Sequence, residues 1–589
     1  MNQAANAKMV IKLLFRLLPV QIFLAAVGAV NGIVSSFFAS NYVGVDAMTA
    51  VGLYAPLNML VTSVSTILVS GSVILCGEYM GRNRQEEMQG VFSLNLTLTT
   101  VIAVGFTALL AAAGALDLTG FLTGDPAVRP LLDRYMLGQA IGVIPLMLGS
   151  SFAAFLSLEN KGRRTLTASL LYIAVNLLLN FLFVQIFRLE ALGLALAASL
   201  GMWVFALVQG QYYLSGKSHF RLSGLRFSRS ESRKIIRIGI PGALSYLYQT
   251  GRGLIVNRLL VDWVGSAGVS AFAAANSFLG IIWSIPGGML AVSRMLISVS
   301  VGEEDRQTLT DVMRVMFTRF IPLMCAVSAG LILSAVPLTR LFYRDPGEAV
   351  YMMTVWGFRI LPLCMPLSII CMHFTCYGQA SGKHGLVHTL AVLDGVVCVA
   401  GFTALLIPAL GIKSVYIANV LNGTVTTLVI VGYAWIRNSH FPRNMAELMV
   451  IPADFGAPED RRLDLSIRSM EDVISVSDRV QRFCLEKGVD GRRSYLAGLS
   501  MEEMAGNIVE HGFTKDKKSH SADVRVVLKD EDVILRIKDD CIPFDPGERQ
   551  KLADGADPAK NIGIRMVFRL ARDVQYQNIL GLNVLTVRI

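Results

Sequence analysis

The chain has 589 residues, 53% of them hydrophobic and only 16% charged, and a mean hydropathy of +0.54. Soluble domains carry about a quarter charged residues, so this composition excludes an ordinary soluble protein and points to an integral membrane protein. The net charge of +10 fits basic residues gathered on cytoplasmic loops rather than nucleic-acid binding.

Roughly twelve apolar segments near the length of about 20 residues needed to cross a bilayer run from Pro19 to Trp435. They fall near 18–40, 50–76, 91–115, 133–157, 166–187, 190–214, 236–262, 270–294, 313–336, 352–376, 386–408 and 413–436. Lys8, Lys12 and Arg16 precede the first in the manner of a signal peptide. The run is long for one and a matching segment recurs later, so it reads as a retained helix.

The two halves superimpose at an offset of about 220 residues: Pro19 falls near Pro241, Val43-Gly44 on Val264-Gly265, and Gly162 on Gly382. In each half the loops after the second and fourth spans carry glycine followed by charge, as in GRNRQEE (81–87) and GEEDRQ (302–307). Two six-helix lobes related by duplication follow. The N-lobe is expected over 1–214, a basic linker over 215–236 and the C-lobe over 237–440. A second linker takes 441–462 and a separate domain 463–589. Lysine and arginine concentrate at the N-terminus, at 81–87, at 161–164 and in the first linker, which places that side in the cytoplasm. An even number of spans brings the C-terminus to the same side. The eight cysteines are scattered without paired ligand spacing, which argues against a disulfide scaffold or a zinc site.

After Pro442 charges become frequent and no later run can span. A strand (463–467) and an amphipathic helix (470–487) lead to a second helix holding SMEEMAGNIVEHGF (500–513). Two alternating strands, a helix near 561–573 and a closing hairpin complete a small α/β domain. Glu503 and Asn507 share a helical face, and Gly512 is placed to stop the helix. DDCIPFDP (539–546) ends a strand, and NIGIRMV (561–567) opens a helix. This set resembles a nucleotide pocket: Asp539 can accept from an adenine amino group, Asn507 can hold Mg²⁺, and helix-start N–H groups suit phosphate oxygens.

Residues 463–589 resemble the GHKL ATP-binding fold, in particular its anti-sigma-factor serine kinase branch. The N-box E-x-x-x-N with a following H-G is matched by Glu503, Asn507, His511 and Gly512. The box D-x-G-x-P-F-D-P is matched by Asp539, Pro543, Phe544, Asp545 and Pro546, and the second glycine box by Gly563. The resemblance implies Glu503 as general base toward a serine hydroxyl and Asn507 as a Mg²⁺ ligand through ATP. It further implies Asp539 as adenine reader with Phe544 and Gly563 in the pocket, 547–560 as ATP lid, and a STAS-like or other soluble regulatory protein as partner. Cys541 and Asn561 stand where that family has glycine.

Residues 1–440 resemble the MATE family of multidrug and toxic-compound antiporters. The resemblance rests on FFASNYVGVDAMTAVGL (37–53), the turn at 81–84, ENKGRRTLTASLLYIAVNLLLNFLF (159–183), RIGIPGALSYL (237–247) and ALGIKSVYIA (409–418). It implies two lobes about a central cavity, alternating access in the plasma (inner) membrane, and export of small organic or cationic molecules coupled to H⁺ or Na⁺. Many members have V-D-x-F-F in the first helix. Here Val34-Ser35-Ser36-Phe37-Phe38 takes its place, which excludes proton coupling through that carboxylate. The polar residues Asn31, Ser35, Asn176 and Asn180 remain in the N-lobe, with Arg252 and Asp394 in the C-lobe. Intramembrane ionisable groups are functional candidates by default, and the lone mid-span Asp394 leads them. His373 reads as a packed, satisfied histidine. No Walker sequence G-x-x-x-x-G-K-[ST] occurs, so the expected tail senses ATP rather than powering transport. The alternative is a membrane-tethered serine kinase or anti-sigma-like switch with the helix bundle as anchor or sensor.

Overall fold

In the computed structural model the described residues are 14–15, 17–26, 38, 42–43, 45–82, 84–121, 126, 128–159, 161–216, 218, 220, 228–343, 345–513, 520–529, 532–543, 545–546, 562–579 and 582–589. Asn31, Ser35, Phe544, Asn561 and the lid segment 547–560 lie outside them, as do Lys8, Lys12 and Arg16.

Among the described residues, ten helices are long and apolar enough to cross a membrane. They are α2 (Leu57–Gly81, the apolar part of Val45–Gly81), α3 (Gln85–Ala115), α4 (Arg129–Leu158), α5 (Gly162–Ile186), α6 (Glu190–Leu214), α8 (Ala267–Gly302), α9 (Arg306–Leu333), α10 (Ala349–Ala380), α11 (His384–Leu410) and α12 (Lys413–Asn438). Before them comes α1 (Leu17–Ala26), and the C-lobe opens with α7 (Arg229–Trp263), which has the length but carries more charge. Eleven of the twelve expected spans thus correspond to a helix, and the first does so over its described part, Leu17–Ala26. Apolar side chains cover the outer faces of these helices, as at Leu109, Leu207, Leu254, Leu333 and Leu405, all exposed. In a bilayer those positions meet lipid, while backbone polar groups stay paired within each helix.

The lobes meet on the tail side through small residues. A Cβ on Gly77 of α2 would lie 2.6 Å from the Cβ of Ser298 in α8, and one on Gly81 or Gly302 would collide with backbone of the opposite lobe. A Cβ on Gly71 would strike the carbonyl of Ile235, and one on Gly239 that of Ile67. Only glycine lets helix backbones approach this closely.

The tail is a five-stranded antiparallel sheet in the order β1-β2-β3-β5-β4, with β1 (Arg462–Ile467), β2 (Ala522–Lys529), β3 (Asp532–Asp539), β4 (Asp573–Ile579) and β5 (Leu582–Arg588). Its helices are α13 (Met470–Glu486), α14 (Gly491–Asn507) and α15 (Ile562–Leu570). Alternation divides the sheet into two faces. Val524, Val526, Val533, Leu535 and Ile537 are buried with Val473, Val476, Met501, Met504 and Val567 of the helices. Ser469 caps α13 in a reciprocal capping box with Asp472.

The opposite face of the sheet meets the loop between α8 and α9. Lys538 pairs with Glu303 at 2.6 Å, Lys529 with Glu304 at 2.6 Å, and Arg525 with Asp305. Glu303 and Asp305 are 2% and 3% exposed, so their pairs with Lys538 and Arg525 are buried, whereas Lys529–Glu304 lies at the surface. Beside them the linker is held to the C-lobe: Lys383 Nζ donates to the Val450 carbonyl at 2.9 Å and Arg306 Nη1 to that of Pro452 at 3.1 Å. Met449 and Ile451 are buried in the core of the membrane region.

Candidate functional site

Two polar sites lie inside the lobes. In the N-lobe, Asn176 and Asn180 face inward one helical turn apart near the end of α5, both essentially unexposed. Asn180 Nδ2 donates to the Asn176 carbonyl at 2.9 Å and to Asn176 Oδ1, while Asn180 Oδ1 meets no donor among the described residues. Helix α5 then widens into a π-helical turn at Phe181–Ile186. Nearby, the Tyr54 and Tyr135 rings meet edge to face at 5.4 Å, and Gln139 donates to the Tyr135 hydroxyl at 3.0 Å. Sequence reading passed over these two tyrosines because aromatic residues inside apolar runs look like packing.

In the C-lobe, Asp394, Asn422 and Arg252 come together from α11, α12 and α7. Asn422 Nδ2 donates to Asp394 Oδ1 at 2.7 Å, and Arg252 Nη1 donates to the Asp394 carbonyl at 3.2 Å. Asp394 also lies in a π-helical turn, Leu393–Val397, within the fifth helix of its lobe, the counterpart of α5. Such turns recur at functional positions because they re-aim side chains. Gly395 lets Tyr248 of α7 pack against the turn, since an added Cβ would come within about 2.5 Å of it. Asp262, ten residues after Arg252 on the same helix, pairs instead with Arg258 at 3.0 Å in an exposed position. His373 is fully buried between Ser293 Oγ and the Ile369 carbonyl, each at 2.8 Å, and is satisfied there. Arg294 of α8, whose Nε is buried without an acceptor among the described residues, is an intramembrane cation that the sequence signals plainly in MLAVSRMLISV and that the expected set omitted.

In the tail, α14 runs through Glu503 and Asn507 and ends in a π-helical turn, Ile508–Gly512. Glu502 is exposed, whereas Glu503 is half-buried and lies directly against Gly563 of α15. Gly563 is therefore required by the close approach of α15 to α14. Asn507 Nδ2 donates to the Glu503 carbonyl at 2.5 Å.

Asp539, at the end of β3, is 3% exposed. Its Oδ1 accepts from Asn583 Nδ2 at 2.8 Å and from the Cys541 N–H at 3.0 Å. Burial raises its pKa above the ordinary carboxylate value, and these two donors work against that rise. Asn583 is its direct cross-strand neighbour on β5 and is oriented by the Tyr576 hydroxyl at 2.8 Å. Neither residue is signalled locally in the sequence, because strand register creates the pair.

Asn507, His511, Gly512, Asp539 and Cys541 line one cavity between helices and sheet, and Glu503 with Gly563 stands at its margin. Its volume is about 30 Å³, enough for a water molecule and far short of a nucleotide. Cys541 fills part of the space, with Sγ 3.1 Å from where a Gly512 Cβ would sit. The residues fit a purine amino group and a phosphate-bound cation, but the space between them is smaller than a nucleotide.

The MatE family model matches residues 22–182 and again 241–403, which reproduces the duplication, and the model of the histidine kinase-like ATPase domain matches 468–589. Among curated relatives, a probable multidrug resistance protein NorM of Bacillus licheniformis is 25% identical over 39% of this chain and 51% of its own length. A probable multidrug resistance protein YpnP of Bacillus subtilis is 23% identical over 46% of this chain and 61% of its own length. The chain thus spans about half to two-thirds of the curated relatives it matches. Two solved structures share the membrane fold. A crystal structure of MATE in complex with MaL6 aligns at TM-score 0.67 and 21% identity, over 74% of this chain and 96% of that one. An outward-facing conformation of a multidrug resistance MATE family transporter of the MOP superfamily aligns at TM-score 0.65 and 20% identity, over the same shares.

Proposed function

The chain belongs to the MatE family, and from that premise we propose that it is a secondary antiporter. It exports small organic or cationic compounds across the plasma (inner) membrane by alternating access coupled to H⁺ or Na⁺, with both termini in the cytoplasm. The observation that carries this reading is the Asp394–Asn422–Arg252 constellation. A carboxylate held mid-membrane by an amide, with a guanidinium on its own backbone, has a charge that a coupling ion or a cationic substrate can exchange against. The relatives' names as multidrug resistance proteins support the substrate class. The test is dye efflux from energised vesicles. Asp394→Asn keeps the shape and the amide contact and is expected to lower coupled efflux at least tenfold. Unchanged efflux would remove Asp394 from the coupling step.

In this reading the tail binds ATP, with Asp539 facing the adenine, Asn507 holding Mg²⁺, and the α15 start, including Gly563, near the phosphates. ATP there regulates the transporter and does not drive it. A second reading, a membrane-tethered serine kinase acting on a STAS-like partner, is favoured by the half-buried Glu503 beside α15, the place of a general base. ATP-dependent phosphorylation of a serine-bearing partner, lost in Glu503→Ala, would decide for it.

A further inference from the structure

We propose that the basic cleft between the outer face of the tail sheet and the tail-side loops of both membrane lobes is a binding site for an anion carrying two or more phosphoryl groups. The cleft has a volume of about 660 Å³, within the range of about 300–1,000 Å³ typical of small-molecule sites. Seven arginines and one lysine line it against three carboxylates. Arg82 and Arg84 come from the N-lobe loop after α2, and Arg306 from the start of α9 in the C-lobe. Arg525, Arg536 and Arg588 come from three neighbouring strands.

The carboxylates are already engaged. Glu303 takes Lys538 at 2.6 Å and Arg536 at 3.8 Å, Glu304 takes Lys529 at 2.6 Å, and Asp532 takes Arg572 at 2.9 Å. Of the seven arginines, Arg82, Arg84, Arg462 and Arg525 already meet Glu78, Glu87, Asp464 and Asp305 outside the lining, which leaves the guanidinium groups of Arg306, Arg536 and Arg588 the least neutralised. Two of them, Arg536 and Arg588, have a buried Nε with no acceptor among the described residues. Buried donors are nearly always hydrogen-bonded, and the planar guanidinium fork matches phosphate oxygens two at a time.

This site is separate from the nucleotide cavity. Asp539 faces the helices while Arg536, on the same strand, faces the cleft, so the sheet stands between the two. A ligand here touches both lobes and the tail at once. It therefore favours the arrangement in which the lobes are joined on the tail side and the tail is docked, and the proposal stands whatever the transported substrate is. The phosphoryl groups belong either to a soluble polyphosphate or to an anionic lipid headgroup, and the test separates these sources.

The full chain in phosphatidylcholine nanodiscs is titrated with inorganic pyrophosphate by calorimetry. In parallel, amide exchange in β3 and β5 is compared between nanodiscs with and without cardiolipin. Saturable pyrophosphate binding, weakened at least about tenfold by Arg588→Gln, less by Arg588→Lys and not at all by Asn507→Ala, supports a soluble ligand. Protection by cardiolipin alone, lost in Arg588→Gln, supports the same site with a lipid headgroup. No response in either arm overturns the proposal. So does a response that survives Arg588→Gln and Arg536→Gln, or one that is lost in Asn507→Ala, which would place the anion in the nucleotide cavity.

Discussion

Asp305 joins the membrane region to the tail, and Asp305→Asn tests what that junction contributes. The carboxylate does two separable things. It caps α9, accepting from the Thr308 N–H at 2.8 Å and the Thr308 hydroxyl at 2.7 Å, and it pairs with Arg525 and, at 3.7 Å, with Lys538. Asparagine caps a helix about as well as aspartate, so the substitution removes charge and spares the helix. Deleting one partner of a buried pair costs about 3–5 kcal/mol when the other is stranded. Here neither cation is stranded: Arg525 keeps Asp464 at 2.6 Å and Lys538 keeps Glu303 at 2.6 Å. The expected cost is therefore nearer about 2 kcal/mol, or about a thirtyfold rise in the undocked fraction. Hydrogen exchange of the full chain in nanodiscs should show it in β2, β3 and the loop 302–308, with the α13–α14 core unchanged. Burial would raise the Asp305 pKa, but Arg525 and Lys538 overcome this and hold it well below the ordinary carboxylate range. A lowered pKa contributes stability above the unfolded value of about 3.9 that is lost only as pH falls toward the lowered one. Docking should thus be flat from pH 5 to 8 as far as Asp305 governs it. Unchanged exchange in Asp305→Asn, or docking lost near pH 6 in a manner traced to Asp305, would refute the reasoning.

Two further predictions follow from neighbouring features. Gly302→Ala drives a Cβ into the Glu78 carbonyl of α2; overpacking costs about 1–3 kcal/mol, so a cysteine placed at Ser298 should react with maleimide about ten to a hundred times faster in that background, and equal rates would show that the lobes yield without parting. Asp523, on the cleft side of β2, is raised to about 6, by burial first and against the pull of Lys538. A raised carboxylate pKa favours the fold below the unfolded value and loses that advantage as pH rises through the folded one, so tail stability should fall by on the order of 2 kcal/mol from pH 4 to 7, and Asp523→Asn should flatten the slope in thermal melts.

The lobes, the duplication and the tail elements were legible because each rests on a local signal. Span length, the glycine-and-charge loops, and alternation such as Val524-Arg525-Val526 are visible within a few residues. The tail pocket was legible as a set of motifs, since Glu503, Asn507 and Asp539 recur at readable spacing. Its small volume was not, because that depends on how Cys541 packs on Gly512. Asp394 was legible as an isolated charge, while its partner Asn422 was not, lying 28 residues on in a helix rich in other polar candidates. The docking interface was hidden most completely. GEEDRQ at 302–307 marks a loop, and Arg525, Lys529, Arg536 and Lys538 look like the solvated face of a sheet. Their complementarity spans more than 200 residues of chain, and no periodicity reports it.

That complementarity bears on how a tail of this kind can influence a transporter at all. The helix side and the membrane side of the sheet are consecutive residues on one strand: Asp539 looks toward Asn507 and the helices, and Lys538 holds Glu303. A strand cannot turn one residue without turning the next, because successive side chains project from opposite faces of a single pleat. A ligand that meets Asp539 therefore works on the end of β3, one residue from the lysine that fastens the tail to the C-lobe. The coupling needs no long pathway and no hydrolysis. It needs only that the docked and undocked tails differ in affinity for the ligand, and linkage then requires that the ligand shift docking by the same factor.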